Sequence, residues 1–349
     1  MMKNILAINP GSTSTKIAVY RDETPVLVKS IPHSAEEVSK YAQVVDQLPM
    51  RKQLIFDELE KAGLLMQFDA VIGRGGLARP VEAGVYPVTP LMIEETLAAP
   101  HQHACDLGCV LAYDIAAQTG GCPALVADPG RVDQLNDYAR ISGSPLLPRI
   151  CIWHALNQRA VARRFADDTG RRYEDMNLII CHLGGGISVA AHDHGRAVDA
   201  NNALTGEGPF SPERAGSLPA GDLIRLCFSG KHTQEELLRR IAGHAGLTAH
   251  LGTNDVREII SRIESGDKHA ELILNAMIYH VAKAIGAQAP VLMGQVDAII
   301  ITGGIAHSDY VISHLLPYIE WIAPVYIYPG EDEMLALTQN ALRYLKELH

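Results

Sequence analysis

The sequence is short of positive charge for its length. Its 349 residues include 30 lysines and arginines against 40 aspartates and glutamates, which gives a formal net charge of −10 at pH 7. Nucleic-acid binding requires an excess of lysine and arginine that displaces counterions from phosphates. The composition therefore argues against a nucleic acid as a partner. An acidic protein that binds phosphates must gather its few cations in a small, well-defined site.

The sequence also lacks a metal-binding cysteine pattern and a long apolar run. Cys105 and Cys109 are four positions apart, but no second cysteine pair and no His-x-x-x-His motif follows them. We therefore expect no zinc site, and the cysteines fit reduced thiols in a protein core. The longest apolar stretch, 287–306, is broken by two glutamines and an aspartate, so we expect no membrane span. With no signal-peptide pattern at the start, a cytoplasmic protein is expected.

A polar turn between two apolar strands stands near the start of the chain. The segment Asn9-Pro-Gly-Ser-Thr-Ser-Thr-Lys16 follows one apolar strand and leads into another, Ile17–Tyr20. Backbone N–H groups, hydroxyls and one ammonium suit an anionic phosphate group. The segment is not a Walker loop, because Lys16 precedes a strand and not a helix. Taken alone, it fits an ordinary serine-rich hairpin equally well.

The same order of strand, polar residue, glycine-rich turn and strand occurs a second time. In Leu178–Ala191 the polar residue is His182 and the turn contains Gly184–Gly186. Asn9 and His182 are 182 − 9 = 173 positions apart, about half of the 349 residues. A third glycine turn follows the apolar strand 297–302. Three such segments predict a duplicated domain with a nucleotide between the halves.

Apolar periodicity predicts an α/β fold with a mixed sheet. Length favours two domains, and the breakers at 142–148 divide them into 1–150 and 151–349. The last helix could pack on either domain. The predicted strands cover 5–9, 16–20, 69–73, 124–127, 178–182, 187–191, 297–302 and 323–328. The predicted helices cover 50–63, 154–166, 234–243, 254–264, 268–287 and 333–347.

Two loops place an arginine beside glycine or proline. Gly73-Arg74-Gly75-Gly76 follows a predicted strand at the end where α/β sheets collect ligands, so Arg74 is a candidate ligand contact. A solvated surface arginine is the alternative. Gly208–Pro219 is a long irregular stretch around Arg214, and long loops without secondary structure tend to be functional.

Further candidates each have a structural alternative. Asp128 ends a strand and either positions a metal-bound water or caps a turn. His154 opens a helix, where it either donates as a neutral imidazole or packs as a cap. The carboxylates of Glu331–Glu333 either hold Mg²⁺ or stabilise the final helix. For Thr253–Arg257, helix capping is the preferred interpretation.

Together these motifs resemble the butyrate kinases, in the acetate kinase branch of the sugar kinase, Hsp70 and actin superfamily. The resemblance covers essentially the whole chain and rests on the segments 9–16, 73–76, 154–158, 182–186, 208–214, 302–308 and 329–333. It implies two duplicated ribonuclease-H-like domains with a central cleft. The implied activity is reversible, Mg²⁺-dependent transfer of a phosphoryl group from ATP to a short-chain fatty acid, in line and without a covalent intermediate.

The resemblance also implies roles for single residues. Contacts to the nucleotide are implied for Asn9, Ser12, Ser14, Lys16, His182, Gly184, Gly185, Gly186, Gly303, Gly304 and Ser308. Catalytic roles are implied for Arg74, Asp128, His154 and Arg214. Substrate contacts are implied for Arg74, His103, Pro209 and Phe210. The metal is assigned to Asn9, Asp332 and Glu333, and which of Glu331, Asp332 and Glu333 aligns with the metal-linked glutamate stays open.

The chain departs from the butyrate kinase pattern around the implied acyl site. The departures are Asp128-Pro-Gly-Arg-Val-Asp133, the tryptophan at 153 before His154, and His103-Ala-Cys-Asp-Leu-Gly108. They leave the acid open among butyrate, acetate, propionate and a branched acid such as isobutyrate. A homo-oligomer, either a dimer or a multiple of it, is expected. A sugar kinase with Asp128 as base, or a non-catalytic actin-like or sugar-sensing protein, is the alternative from another class.

Overall fold

The computed structural model describes residues 2–64, 67–75, 79–98 and 104–348. The chain forms two compact units, one made of Met1–Val132 with Asp332–His349 and the other of Asp133–Glu331. The first unit thus includes the last helix, and residues 133–150 pack with the second unit. The division between units therefore differs from the expected boundary near 150, and the domain limits themselves stay a prediction.

Strands and helices are interspersed along the chain, as in an α/β fold, with three consecutive strands within residues 4–32 and again within residues 177–200. The strands are β1 (Asn4–Pro10), β2 (Ser14–Arg21), β3 (Thr24–Pro32), β4 (Ala70–Gly73), β5 (Val85–Pro87), β6 (Ala124–Ala127), β7 (Asn177–Leu183), β8 (Ile187–Asp193), β9 (Arg196–Ala200), β10 (Ala298–Gly303) and β11 (Val325–Pro329). The helices are α1 (Ala35–Val38), α2 (Leu48–Lys61), α3 (Pro90–Ala98), α4 (Leu107–Gln118), α5 (Asp137–Arg140), α6 (Ala155–Thr169), α7 (Ala220–Cys227), α8 (Gln234–Ile241), α9 (Gly246–Leu251), α10 (Val256–Glu264), α11 (Lys268–Gln288), α12 (Asp309–Ile319) and α13 (Glu333–Glu347). Single 3₁₀ turns lie at Val44–Gln47, Ala104–Asp106, Tyr173–Asp175, Pro290–Leu292 and Gly304–His307.

The sheet of the first unit has six strands in the order β3-β2-β1-β4-β6-β5. Strands β1 to β3 are antiparallel neighbours, β1, β4 and β6 run parallel, and β5 is antiparallel to β6. Leu6 and Ile8 of β1 pack in one core cluster with Ile55 of α2 and Leu111 of α4, while α13 packs on β1, β4 and β6. Burial by neighbouring helices explains why Ile5–Ile8 is a continuous apolar run.

The sheet of the second unit has five strands in the order β11-β10-β7-β8-β9. Strands β7 to β9 are antiparallel neighbours, whereas β7, β10 and β11 run parallel. Ile179 and Cys181 of β7 belong to the core cluster that contains residues of α11 and α12. Leu178 and Ile180 pack in a different cluster, with residues of α6. Successive side chains of one strand therefore enter two separate cores.

Strands β1 and β7 are equivalent in detail. Each has seven residues, of which the first is half-buried and the next six are buried. Their starts are 177 − 4 = 173 positions apart, which is also the spacing of Asn9 and His182. Across each hairpin, Asn9 pairs with Lys16 and His182 pairs with Ser188. The duplication that the sequence predicts is thus present in the backbone. Among the residues described, no helix has the length and apolar character needed to cross a lipid bilayer.

Candidate functional site

The turn between β1 and β2 presents the polar groups of the first predicted phosphate site. Ser12 and Lys16 are exposed, whereas Ser14 is half-buried. The backbone N–H of Gly11 donates to the Ser14 carbonyl oxygen at 2.7 Å and closes the turn. A hydroxyl and an ammonium group are therefore accessible beside a tight backbone turn, as an anion site requires.

A fully buried arginine that the sequence analysis missed holds this turn from inside. The guanidinium of Arg51 donates to the carbonyl oxygens of Gly11 at 2.9 Å and Ser14 at 3.3 Å. It also donates to Thr15 Oγ1 at 2.8 Å and to Gln47 Oε1 at 2.8 and 3.1 Å. These acceptors are neutral oxygens, and burial lowers the pKa of Arg51. A signal was available, because Arg51, Ile55 and Leu59 lie four residues apart on the buried face of α2.

Three predicted site residues of the first unit meet at the start of α13. The Oε1 atom of Glu333 lies 2.7 Å from Nη1 of Arg74, and its Oε2 atom accepts a hydrogen bond from the Asn9 amide. Glu333 thus contacts both Arg74 and Asn9, and the three residues come from three different predicted motifs.

The structure distinguishes the three carboxylates of the Glu331–Glu333 segment. Asp332 caps α13, because its Oδ1 atom accepts from the backbone N–H of Leu335 at 3.0 Å. The Oε1 atom of Glu331 lies 3.1 Å from His182 Nε2 in the second unit. Glu333 is therefore the carboxylate of this segment that contacts Asn9.

Asp128 occupies an unusual backbone position at the end of β6. Its φ angle of +37° is rare for a residue with a side chain. Asp128 is 3% exposed, and its Oδ1 atom accepts from the N–H of Gly84 at 2.9 Å. Its own N–H donates to the Gly84 carbonyl at 2.9 Å. The Asp128 carboxylate therefore stabilises a turn, which is the structural interpretation of this residue. His103 and Gly76 lie outside the described residues.

In the second unit, Arg214 packs directly against the second glycine turn. A Cβ atom on Gly186 would lie 2.0 Å from Arg214 Nη1, so only glycine leaves room for the guanidinium. The Arg214 guanidinium donates to the Ala203 carbonyl at 2.7 Å, and Ser211 Oγ donates to the Gly185 carbonyl at 2.6 Å. Burial lowers the pKa of Arg214, and the Glu213 carboxylate opposes this effect. The loop around Arg214 is thus fixed to the glycine turn.

Two predicted histidines stack on each other beside this turn. The rings of His154 and His182 are 3.8 Å apart and nearly parallel, at 15°. His182 Nδ1 lies 2.8 Å from Asn157 Oδ1, and His154 Nδ1 lies 2.8 Å from Ser188 Oγ. The second unit therefore brings His154, His182 and the Gly184–Gly186 turn together.

Pro209 and Phe210, the predicted substrate contacts of this loop, have different surroundings. Pro209 is buried and lines a small hollow together with Arg214 and Gly216. The ring of Phe210 lies 5.4 Å from that of His280 and packs against the hydrophobic core. Arg214 and Pro209 therefore share one hollow, and the Phe210 ring serves the core.

The third glycine turn lies directly beside β7. Gly303 has a φ of +91°, and a Cβ atom there would lie 2.3 Å from the Leu183 carbonyl oxygen. Gly304 is exposed, and Ser308 caps α12 by accepting from the N–H of Val311 at 3.3 Å. The helix-capping interpretation of the Thr253–Arg257 segment is confirmed, because Asp255 is the N-cap of α10.

Comparison with known proteins gives this geometry a family. The sequence model of the Acetokinase family matches residues 149–321. A Bacteroides thetaiotaomicron protein named "Probable butyrate kinase" is 63% identical over 98% of this chain and 97% of its own. The chain belongs to the acetokinase family. A second relative with the same name, from Phocaeicola vulgatus, is 51% identical over 98% of the chain and 96% of its own.

The acetokinase assignment agrees with the backbone. The solved structure of Porphyromonas gingivalis acetate kinase matches 98% of this chain and 100% of its own, with a TM-score of 0.78 and 20% identity. At this identity the likeness shows the fold. The predicted fold class, a duplicated α/β fold of the sugar kinase, Hsp70 and actin type, is confirmed.

Proposed function

We propose that this protein transfers the γ-phosphoryl group of ATP to the carboxylate of a short-chain fatty acid, with butyrate as the preferred acid. Whole-length identity of 63% to a relative named "Probable butyrate kinase" supports the reaction and the acid. The observation that carries the proposal is the contact between Arg214 and the second glycine turn. It sets a half-buried cation against a loop suited to phosphate, where a transferred phosphoryl group needs charge stabilisation.

The acceptor chemistry fits a site built from cations. A carboxylic acid with a pKa of about 4 to 5 is already ionised at pH 7, so it needs no general base. One carboxylate oxygen attacks the γ-phosphorus while the bond from that phosphorus to the β,γ-bridging oxygen breaks. ADP leaves, the acyl phosphate forms, and the reverse reaction follows the same path. The protein must bring two anions together and stabilise the group in transit.

Each set of residues has a role in this proposal. Ser12, Ser14 and Lys16 bind nucleotide phosphates, and so do His182 and Gly184–Gly186. Gly303, Gly304 and Ser308 hold the adenosine. Arg74 and Arg214 neutralise the transferred group, and His154 donates a hydrogen bond to it. Asp128, as the acidic partner, supports the turn beside Gly84, with which it exchanges hydrogen bonds. His103, Pro209 and Phe210 complete the acyl site.

The residues present fit Mg²⁺ held mainly by the nucleotide. The Asn9 amide nitrogen donates to the Glu333 carboxylate, and carboxylate oxygens are protein ligands that Mg²⁺ prefers. Within the described ranges, no group of three histidine, cysteine or acidic residues could form a metal cage. Mg²⁺ that keeps waters and binds ATP phosphates needs only one or two protein ligands. When bound, it would neutralise phosphate charge. Asp332 is less suited, because its carboxylate caps α13.

Two further expectations belong to the proposal. A homo-oligomer, a dimer or a multiple of it, stays a prediction that multi-angle light scattering tests directly. The cytoplasmic location also stays a prediction.

Hydroxamate trapping across a panel of acids tests the reaction and the acid together. Purified protein, ATP and Mg²⁺ are incubated with acetate, propionate, butyrate, isobutyrate or valerate. Hydroxylamine converts any acyl phosphate to a hydroxamate, which forms a coloured complex with added Fe³⁺. We expect the highest kcat/KM with butyrate. A higher kcat/KM with another acid would replace butyrate and keep the reaction class. ATP hydrolysis without hydroxamate from any acid would rule out a carboxylate kinase.

A further inference from the structure

A chain of hydrogen bonds runs through the core of the second unit and ends on His154. The Tyr173 hydroxyl lies 2.7 Å from His192 Nδ1, and His192 Nε2 lies 3.0 Å from Gln158 Oε1. Gln158 Nε2 lies 3.2 Å from the Ser188 carbonyl oxygen and 2.9 Å from Ser188 Oγ. Ser188 Oγ lies 2.8 Å from His154 Nδ1. Gln158, Ser188 and His192 are each 0% exposed, so water does not compete for these bonds.

The carbonyl oxygen of Ser188 fixes which group donates and which accepts in each hydrogen bond of this series. A carbonyl oxygen can only accept, so the Gln158 atom that faces it must be the NH₂ nitrogen. The Gln158 oxygen therefore faces His192, and His192 Nε2 must carry a proton to donate to it. The orientation of the Gln158 amide and the proton on His192 Nε2 are thus assigned from the hydrogen-bond network.

The state of His192 agrees with this direction. Burial, together with the smaller effect of the Arg159 cation, lowers the pKa of His192 to about 3. A neutral His192 with its proton on Nε2 has a lone pair on Nδ1. The Tyr173 hydroxyl then donates to Nδ1, so each bond on this side of Gln158 has one donor and one acceptor.

On the other side of Gln158, the donors and acceptors around Ser188 determine whether His154 Nδ1 carries a proton. Ser188 Oγ accepts from the Gln158 amide at 2.9 Å and from the backbone N–H of His154 at 3.3 Å. Both of its lone pairs are then used. Among the described contacts of Ser188, His154 Nδ1 is the acceptor for its hydroxyl proton. His154 Nδ1 is therefore unprotonated.

We propose that Ser188 and Gln158 are positioning residues that hold His154 as a neutral imidazole with its proton on Nε2. This inference deepens the proposed function and rests on it for the role of His154 in phosphoryl transfer. A neutral Nε2–H donates a hydrogen bond to the transferred group and keeps its proton. The positive charge of the second unit's site then resides on Arg214.

The stacking of the two histidines supports a neutral His154. His182 lies 3.1 Å from Glu331 Oε1 and 2.8 Å from Asn157 Oδ1, so both of its nitrogens face oxygens that can accept. Two imidazolium rings stacked 3.8 Å apart would repel each other, and a neutral His154 avoids this repulsion.

Nitrogen NMR of the full-length protein tests the proton position directly. With ¹⁵N-labelled histidine, a long-range ¹H–¹⁵N correlation spectrum distinguishes the Nε2–H form, the Nδ1–H form and the imidazolium. The His154 signals are identified by their loss in His154→Gln. At pH 8 we expect the Nε2–H form for His154 in the wild-type protein. An Nδ1–H form or an imidazolium would overturn the inference.

Variants of Ser188 and Tyr173 distinguish a positioning role from support of the fold alone. Ser188→Ala removes the hydroxyl donor, so we expect His154 to become a mixture of tautomers and kcat to fall about 10- to 100-fold, the range found for groups that orient metal-binding histidines. Ser188→Thr keeps the hydroxyl and should restore the Nε2–H form and most of kcat. Tyr173→Phe should leave the His154 tautomer unchanged, since Ser188 still fixes Gln158.

An unchanged His154 spectrum and an unchanged kcat in Ser188→Ala would overturn the positioning role. If Ser188→Ala does not fold, the wild-type spectrum still decides the proton position. Failure of the proposed function is distinguishable, because an absence of acyl phosphate from every acid leaves the His154 spectrum as it is.

Discussion

Replacing Arg51 with methionine tests how the first nucleotide hairpin is held in shape. The change removes the guanidinium that donates to the carbonyls of Gly11 and Ser14 and keeps a side chain of similar length. Water cannot readily replace the lost guanidinium at the side-chain acceptors, because Gln47 is 4% exposed and Thr15 is fully buried. The turn then loses its fixed backbone geometry, on which phosphate binding depends.

The structure sets the size of the expected effect. A buried polar group left without a partner costs about 1–3 kcal/mol. Gln47 Oε1 loses both of its bonds from Arg51, whereas Thr15 Oγ1 keeps the contact with His33 Nε2 at 2.8 Å. Removing the desolvated cation recovers part of the loss. We expect a net destabilisation of about 2–4 kcal/mol, which is less than the total stability of about 5–15 kcal/mol of a typical domain.

Urea unfolding and ATP titration measure the two consequences separately. We expect the free energy of unfolding of the first unit to fall and the Kd for ATP to rise at least tenfold, which corresponds to about 1.4 kcal/mol. Arg51→Lys keeps the charge but has no planar fork, so it should restore part of the stability and little of the ATP affinity.

The neighbouring residue of α2 provides a matched control. Lys52 Nζ forms an ion pair with Asp114 at 2.9 Å, with side chains 29% and 39% exposed. Such exposed pairs contribute about 0–1 kcal/mol, so Lys52→Met should change stability little and ATP affinity not at all. Equal effects of Arg51→Met and Lys52→Met on both quantities would refute the reasoning.

Four further predictions follow from other parts of the structure. Arg214→Ala should lower kcat by on the order of 10²- to 10³-fold while calorimetry still detects ATP binding, since its role is charge stabilisation during transfer; an equal loss of ATP affinity would contradict that role. Glu333→Gln should raise the Mg²⁺ concentration needed for half-maximal activity, because a carboxylate in contact with Asn9 is lost; an unchanged Mg²⁺ dependence would remove Glu333 from the metal site. The pKa of His192 is lowered from 6.5 to about 3, so the stabilisation from a neutral His192 is present above pH 6.5 and is lost as the pH falls from 6.5 toward 3. Wild-type protein should therefore lose about 2 kcal/mol more between pH 7 and pH 5 than His192→Asn does, and equal losses in urea titrations would contradict the buried neutral state. Finally, a thiol reagent should modify the exposed Cys227 before the buried Cys109 and Cys151, whose pKa values burial raises to about 12; mass spectrometry that finds Cys109 or Cys151 modified first would refute this.

The elements that the sequence predicts well are those whose burial leaves an unmistakable pattern. Strand β7 is buried at six of its seven positions, so its apolar run is continuous and the prediction of 178–182 falls within Asn177–Leu183. Helix α11 extends over 21 residues, so the helical spacing of its apolar residues repeats several times. The glycine turns are equally visible, because the close contact of Gly186 with Arg214 excludes other residues.

The elements absent from the predicted set have weak or misleading patterns. Strand β3 is mostly exposed and shows no alternation of buried and exposed residues. Helix α4 is buried at eight of its twelve positions, so an apolar surface around the helix hides the period of 3.6 residues. Helix α12 contains Pro317, which argues against a helix in a local analysis.

The supporting residues of the site could not be assigned from the sequence. Arg51 is recognisable as a charged residue on an apolar helix face, but its partners at Gly11 and Ser14 lie 40 and 37 positions away. Ser188 lies 30 positions from Gln158, and its role depends on which atom of each group faces the other. A sequence gives residue types, whereas the direction of a hydrogen bond requires coordinates.

Phosphorus NMR of the reaction mixture tests the central claim most directly. ATP, Mg²⁺ and butyrate are followed in real time with the wild-type protein, with a parallel sample that lacks butyrate. Transfer to the carboxylate predicts that an acyl phosphate signal grows in equal amount with ADP, only when butyrate is present. Formation of ADP and inorganic phosphate at the same rate in both samples, with no acyl phosphate signal, would contradict it.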